Sequence, residues 1–306
     1  MKVVYGHTDS IYVQIDSVEK AQDAIKEIES SVREHFPNVM GLEQHPVVLE
    51  FEKYYSALGV GTTKNRNAGM ITWKDGEWLD EPEFIMTGFT AKRVSETKLA
   101  KEVQTDVLTM WVNEKPMLEI NKYLHNKYMS VLNGEVELQD IIKRSRLKEN
   151  RLKVRCGKTT EHRWTGKKSG CNKRYTLHEC LPLRWCEKCG EDVKNFKTLD
   201  GKKPTIGSGI AGVLHAKQND ITFDDSYLYL KVAKSGEVFT HPLTKEVKTV
   251  EYVAGSRYVD FDKYKPDYQH YAEQVIKKAE PIYKAMNWDL SNIKSGKIQT
   301  NLEEWF

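Results

Sequence analysis

Val3-Val4-Tyr5-Gly6-His7-Thr8-Asp9-Ser10-Ile11-Tyr12-Val13 is the stretch on which the reading of the whole chain turns. Two runs of β-branched and aromatic residues flank a short polar segment, the pattern of strand, tight turn, strand. Such a turn projects its side chains from the end of a sheet, where a carboxylate can meet a divalent ion. Asp9 is the carboxylate so placed, and its hard oxygens suit Mg²⁺. The same Asp and Ser also fit an ordinary hairpin in which they satisfy turn backbone. The surroundings decide between the two.

Immediately downstream, Val18, Ala21, Ile25, Ile28, Val32 and Phe36 recur at helical spacing. Asp16 is the expected cap, with Glu19 as its capping-box partner. Val47 to Tyr54 reads as a strand, in which Glu50 and Glu52 share one face and Leu49 and Phe51 the other. Met70 to Trp73 and Trp78-Leu79 flank Lys74-Asp75-Gly76 as a hairpin. From Thr97 the period becomes helical, through Leu99, Val103, Val107, Met110 and Trp111; Pro116 breaks the run. Ile120, Tyr123 and Leu124 continue it, and Leu138, Ile141 and Ile142 suggest a further helix. Gly201 to Gly209 reads as a linker. Tyr227–Val232 and Val247–Val253 read as short strands. A last helix follows Pro266, with Tyr268, Tyr271, Val275, Ala279, Ile282 and Met286.

Composition sets the frame. The 306 residues suffice for two or three domains, and 39% hydrophobic with 30% charged residues suits a soluble chain with a real core. No run of 18 apolar residues exists and nothing at Met1 to Ser10 reads as a signal peptide, so a cytoplasmic protein without membrane association is expected. Charge is uneven. Lys143 to Arg174 holds 13 Lys or Arg against Glu149 and Glu161, a local +11 that leaves −8 for the remainder of a +3 chain. This points to a polyanionic partner at one locus, or to a solvated basic insertion.

All five cysteines fall between Cys156 and Cys189, which in a chain without a secretion signal favours metal over disulfides. Cys186-Glu-Lys-Cys189-Gly190 has zinc-knuckle spacing. Cys171 and Cys180 supply a second pair, with Cys156, His162 and His178 as competitors. Trp164, Tyr175 and Trp185 interleave with the Lys and Arg residues, which suits duplex or template-strand contact; a partner protein fits as well.

The opening string closely resembles motif C of family B DNA polymerases of archaeal type, Tyr-Gly-Asp-Thr-Asp-Ser. Leu49-Glu50-Phe51-Glu52-Lys53-Tyr54 resembles the strand after the family's palm helix, and Lys64-Asn65-Arg66-Asn67-Ala68-Gly69 its primer–template grip, Lys-Lys-Arg-Tyr-Ala-Gly. Gly88 to Arg93 with Leu99 to Gln104 resembles the palm-to-thumb junction. The likeness is strongest over residues 1–112. It implies an α+β fold: a partial palm, an antiparallel sheet with helices, over 1–92, then a mostly helical thumb over 93–151 and 207–306. A small zinc-ribbon-like insertion, 152–206, would interrupt the thumb.

The resemblance also implies site roles. Asp9 would be a catalytic Mg²⁺ ligand in a two-metal site, with His7, Thr8, Glu50 and Glu52 nearby, and Lys64, Arg66 and Arg93 would contact DNA. Departures bear on activity. His7 stands where the family has the first Asp of motif C, removing a charge and offering a nitrogen that suits Mg²⁺ poorly. Asn65 and Asn67 replace a Lys and the Tyr of the grip, and Ser95 replaces an acid of the junction. The Asp-x-x-Ser-Leu-Tyr-Pro string of motif A and the fingers' Lys-x-x-x-Asn-Ser-x-Tyr-Gly are not in the sequence. The expectation is therefore the small subunit of a split polymerase, or a fragment; Met1 just ahead of the motif C strand fits a split gene. The partners would be a large subunit with exonuclease, motif A and fingers, primer–template DNA, and as a further candidate a sliding clamp. The Mg²⁺ pair would be shared with that subunit and Zn²⁺ held by the insertion. The rival is an inactivated relative that binds DNA or scaffolds a replication complex.

Overall fold

The computed structural model describes residues 2–7, 10–161, 163–165, 168–234 and 236–296, and is mixed α/β with antiparallel sheets and six helices among them. It divides into two compact units, one of Met1–Lys92, Glu102–His125 and Ile276–Phe306, the other of Arg93–Lys101 and Asn126–Val275. No helix among the described residues is long and apolar enough to cross a membrane.

In the first unit, β1 (Lys2–His7) pairs antiparallel with β2 (Ser10–Gln14), His7 opposite Ser10, with an irregularity between Val3 and Tyr5. Tyr5 and Tyr12 meet across the pair with centroids 5.3 Å apart. Helix α1 (Val18–His35) follows, and its cap is Ser17, whose hydroxyl accepts from the Lys20 N–H at 3.3 Å. Asp16, the expected cap, lies one residue too early and instead pairs with Lys20 Nζ at 2.7 Å. Along α1 only Val18 is buried; Ala21, Ile25, Ile28 and Val32 are half covered.

Strands β3 (Lys53–Val60), β4 (Asn67–Lys74) and β5 (Glu77–Thr87) form a meander in that order. The β4–β5 connection has φ of 51° at Asp75 and 101° at Gly76, the left-handed pair that lets a two-residue turn match strand twist. The strand expected from Val47 joins the sheet only at Lys53. Before it, Phe51 leaves ladder pairing to stack on Trp73, centroids 4.4 Å apart. Helices α2 (Lys98–Val112) and α3 (Met117–Leu132) follow on either side of Pro116.

The second unit carries α4 (Leu138–Ile141), a single turn, and β6 (Lys143–Arg146). Then come β7 (Lys153–Arg155), β8 (Thr159–Glu161), β9 (Lys168–Gly170), β10 (Arg174–Thr176) and β11 (Lys197–Thr198). After α5 (Ser208–Gln218) come β12 (Ser226–Lys231), β13 (Val238–Thr240), β14 (Val247–Thr249) and β15 (Tyr252–Gly255), and α6 (Tyr268–Met286) closes the order. Two three-stranded sheets result, β10-β7-β11 and β15-β12-β6, with the hairpins β8-β9 and β13-β14 beside them. The region read as mostly helical is thus richer in strand than expected, because β6 is recruited as the partner of the aromatic strand β12.

The stretch read as a linker ends inside α5. Ile210, Gly212, Val213, Leu214, His215 and Ala216 are all buried, so this helix has no polar face and leaves no amphipathic stripe to read.

Helices α2 and α6 contribute residues to the first unit that Gln104 ties together. Its Oε1 accepts from Thr90 Oγ1 (3.0 Å) and the Ala91 N–H (2.8 Å), while its Nε2 donates to the Lys278 carbonyl (3.3 Å). Gln104→Leu leaves a buried N–H without a partner, and should lower stability by about 1–3 kcal/mol in thermal or denaturant unfolding.

Candidate metal centre

The β10-β7-β11 sheet positions the cysteines. Because β7 is the middle strand, its end delivers Cys156 between the two neighbours, fixed by its N–H to the Lys173 carbonyl at 2.8 Å. Cys171 lies just ahead of β10, its N–H on the Lys158 carbonyl at 3.1 Å. The knuckle 186–190 turns through Gly190, φ 70°, with the Gly190 N–H on the Cys186 carbonyl at 2.8 Å.

The four sulfurs of Cys156, Cys171, Cys186 and Cys189 lie within 4.8 Å of one another. Cys156 and Cys189 are 3.4 Å apart, Cys171 and Cys186 3.7 Å. A tetrahedral Zn²⁺ at about 2.3 Å from each thiolate would set its sulfurs about 3.8 Å apart. None of the cysteines is disulfide-bonded, so all four thiols remain available. This arrangement could hold a metal ion such as zinc.

Electrostatics agree. Burial pushes the Cys186 thiol up, but hydrogen bonds from Tyr175 and from the N–H groups of Lys188 and Cys189 outweigh it and bring the group to about 6. The Tyr175 hydroxyl donates to Cys186 Sγ at 3.3 Å and accepts from the Glu187 N–H at 3.1 Å. At Cys156 burial prevails over its hydrogen bonds, and the thiol is held above its ordinary value. A dication would let all four sulfurs carry charge together. Lys158 Nζ donates to the Cys189 carbonyl at 3.0 Å, one more tie across the group.

Placement differs from the spacing-based pairing in one member. Cys156 stands in the group and Cys180 outside it, because strand order, not sequence proximity, decides which sulfurs meet. Cys180 is buried, its thiol pushed up to about 12, and its carbonyl accepts from Lys245 Nζ at 2.5 Å. His178 is exposed, and His162 lies outside the described residues. Tyr175, read with Trp164 and Trp185 as an aromatic for nucleic acid, is 5% exposed and stacks on Phe196. Its tie to Cys186 had no sequence signal beyond alternation with exposed Arg174 on β10.

In the first unit, Thr8, Asp9 and the side chain of His7 lie outside the described residues. Glu50 and Glu52 are both exposed, while Leu49 and Phe51 are half buried. Among the described residues the acids form no group of three that could hold a metal. The connection between β3 and β4 carries exposed Lys64 and half-buried Arg66, and closes by the Gly61 N–H on the Arg66 carbonyl at 2.8 Å. Tyr5 of β1 ties into it: its hydroxyl donates to Asn65 Oδ1 at 3.1 Å and accepts from the Asn65 N–H at 3.2 Å. Asn65 has φ 60°, a left-handed conformation that Asn tolerates better than Lys. Gly88 fits against this loop, since a Cβ there would lie 1.8 Å from the Asn65 carbonyl oxygen. Arg93 is exposed and belongs to the second unit.

A family model described as DNA polymerase family B matches residues 1–160. The chain belongs to that family. Among curated relatives, it is 29% identical over 143 residues to the DNA polymerase zeta catalytic subunit of Arabidopsis thaliana, covering 46% of this chain and 7% of that protein. The DNA polymerase of Archaeoglobus fulgidus is 28% identical over 141 residues, 46% of this chain and 16% of that protein. The human zeta catalytic subunit gives 29% over 143 residues and 4% of its length. The matched stretch is a small part of each relative.

Proposed function

We propose that this chain is the C-terminal palm and thumb portion of a family B DNA polymerase, acting as a small subunit completed by a larger chain with motif A and fingers. The observation that carries this reading is the state of the motif C hairpin. Among the described residues β1 and β2 form a sheet of two strands, with Val3 61%, Val4 43% and Ile11 54% exposed, followed by a helix that buries only Val18. A two-stranded ribbon is marginal in water and wants further strands or a covering layer. In this reading the partner's palm strands supply them, and bring the carboxylates that Asp9 needs for a Mg²⁺ pair. Primer–template DNA would lie along Lys64 and Arg66, and the thiolate group would hold Zn²⁺.

Three residues support the second reading, an inactivated relative that binds DNA as a scaffold: His7, Asn65 and Asn67. The Asn65 side chain is committed to Tyr5, and Asn67 is 6% exposed, so neither is offered to a phosphate.

Primer extension by this chain with a candidate large subunit separates the two. The expected result is extension that Asp9→Ala reduces at least ~100-fold, as loss of a metal-binding carboxylate should; His7→Asp should raise the rate. Extension that survives Asp9→Ala would rule out the catalytic reading, and no extension with any large subunit would favour the scaffold.

A further inference from the structure

We propose that the β8–β9 hairpin is a single-strand nucleic-acid reader, with Trp164 at its tip stacking on an unpaired base. Trp164 is 88% exposed, the most exposed of the large apolar side chains among the described residues. It is the only large apolar side chain between Thr159 and Gly170. The strands beneath it, Thr159–Glu161 and Lys168–Gly170, pair through backbone and through Thr160 with Ser169, and Thr159, Thr160 and Glu161 are all exposed. The hairpin therefore encloses no apolar interior to which the tryptophan belongs.

The base of the hairpin is held firmly. Cys156 and Cys171 bracket it, and both sulfurs sit in the four-cysteine group. The Cys171 N–H bonds the Lys158 carbonyl at 3.1 Å, and Arg155 bonds Asn172. A metal bound there would fix the direction in which the hairpin projects, so the inference rests on the metal reading for its anchoring. It does not depend on polymerase activity.

Charge selects the partner. Residues 151–174 carry nine Lys or Arg and a single acid, Glu161, and Arg163 beside the tryptophan is exposed. That chemistry fits a polyanion that also offers flat apolar faces, which is nucleic acid. Stacking needs an open base face. In duplex those faces are covered by neighbouring pairs and must be unstacked first, whereas a single strand presents them freely. Tyr175 takes no part, being buried against Phe196.

The test is fluorescence anisotropy of full-length chain with labelled oligo(dT) and with a blunt duplex of equal length, alongside zinc content. Trp164→Ala is expected to weaken oligo(dT) binding by roughly 10-fold, the scale of one lost base–aromatic stack, with duplex affinity within twofold and zinc unchanged. Trp164→Phe should retain most of the affinity. Equal loss on both nucleic acids, or no loss on oligo(dT), overturns the proposal; the second result would leave the exposed tryptophan to a protein partner. Loss of zinc in the wild-type chain with single-strand binding intact would instead remove the metal anchor and leave the stacking role standing.

Discussion

Cys186→Ser is expected to abolish stoichiometric zinc binding and to unfold residues 152–206, while Cys180→Ser leaves both unchanged. The contrast follows from geometry: Cys186 Sγ stands 3.7 Å from Cys171 Sγ and accepts from Tyr175, whereas Cys180 lies outside the thiol group. Removing one of four thiolates leaves an open site and weakens the metal by orders of magnitude, and in small metal-ordered modules the binding free energy is folding free energy, about 10–16 kcal/mol for zinc-finger peptides. The segment has little else to rely on. Its buried side chains, chiefly Leu152, Val154, Tyr175, Leu177, Val193 and Phe196, make a small interior for 55 residues, and its strands are two or three residues long. Metal analysis should give one zinc per chain for wild type and Cys180→Ser and close to none for Cys186→Ser. Hydrogen exchange should show the Cys156 and Cys186 amides losing protection in Cys186→Ser alone, with those of β4 in the other unit unaffected. Full zinc in Cys186→Ser would refute the assignment; loss in Cys180→Ser would restore the set Cys171, Cys180, Cys186 and Cys189.

What the sequence disclosed divides along a physical line. Features encoded within a few residues were legible: the Asp75-Gly76 turn, the periodic faces of α2 and α6, the Cys186–Cys189 knuckle. The resemblance carried by the Tyr5–Ser10 string and the Lys64–Gly69 element led to the family, which the match over residues 1–160 bears out. Features set by distant pairing were hidden. Cys156 enters the thiol group because β7 is the central strand between β10 and β11, and no spacing rule within 34 residues reports that order. Tyr175 reads in sequence as one aromatic among basic residues, and only burial turns it toward Cys186. Helix α5 was missed for the opposite reason: its middle, Gly212 to Ala216, is buried without a break and so carries no polar period, and the glycines at its start look like a linker.

Those glycines are there for contact, and Gly212→Val should be among the most destabilising substitutions in the second unit. A Cβ at Gly212 would lie 2.4 Å from the Tyr252 carbonyl oxygen and 3.4 Å from the Ala254 nitrogen, both backbone atoms of or beside β15. Backbone in a paired strand cannot rotate aside as a side chain can. Tyr252 and Ala254 are held in the ladder to β12, opposite Lys231 and Tyr229. To admit even a methyl group, α5 must lift from the sheet by the better part of an ångström, opening gaps around Val213, Leu214 and Ala216, which are all 1% exposed or less. Replacing a helical glycine by alanine gains about 1 kcal/mol in propensity. Overpacking that forces side chains and backbone to shift typically costs about 1–3 kcal/mol, occasionally more, and a 2.4 Å contact with paired backbone belongs at the upper end. The clash therefore wins: Gly212→Ala should lose about 2 kcal/mol, and Gly212→Val, with two further methyl groups and no propensity gain of that size, should lose roughly twice as much. Gly207, one turn earlier, is the control. A Cβ there meets nothing within 4 Å, its φ of −73° suits any residue, and as the α5 N-cap it offers no side-chain acceptor. Gly207→Ser should therefore be neutral or stabilising by a few tenths of a kcal/mol. Chemical unfolding of the three variants followed by hydrogen exchange in β12 separates the cases; a Gly212→Val chain as stable as wild type would mean that α5 does not lie against β15 at this distance.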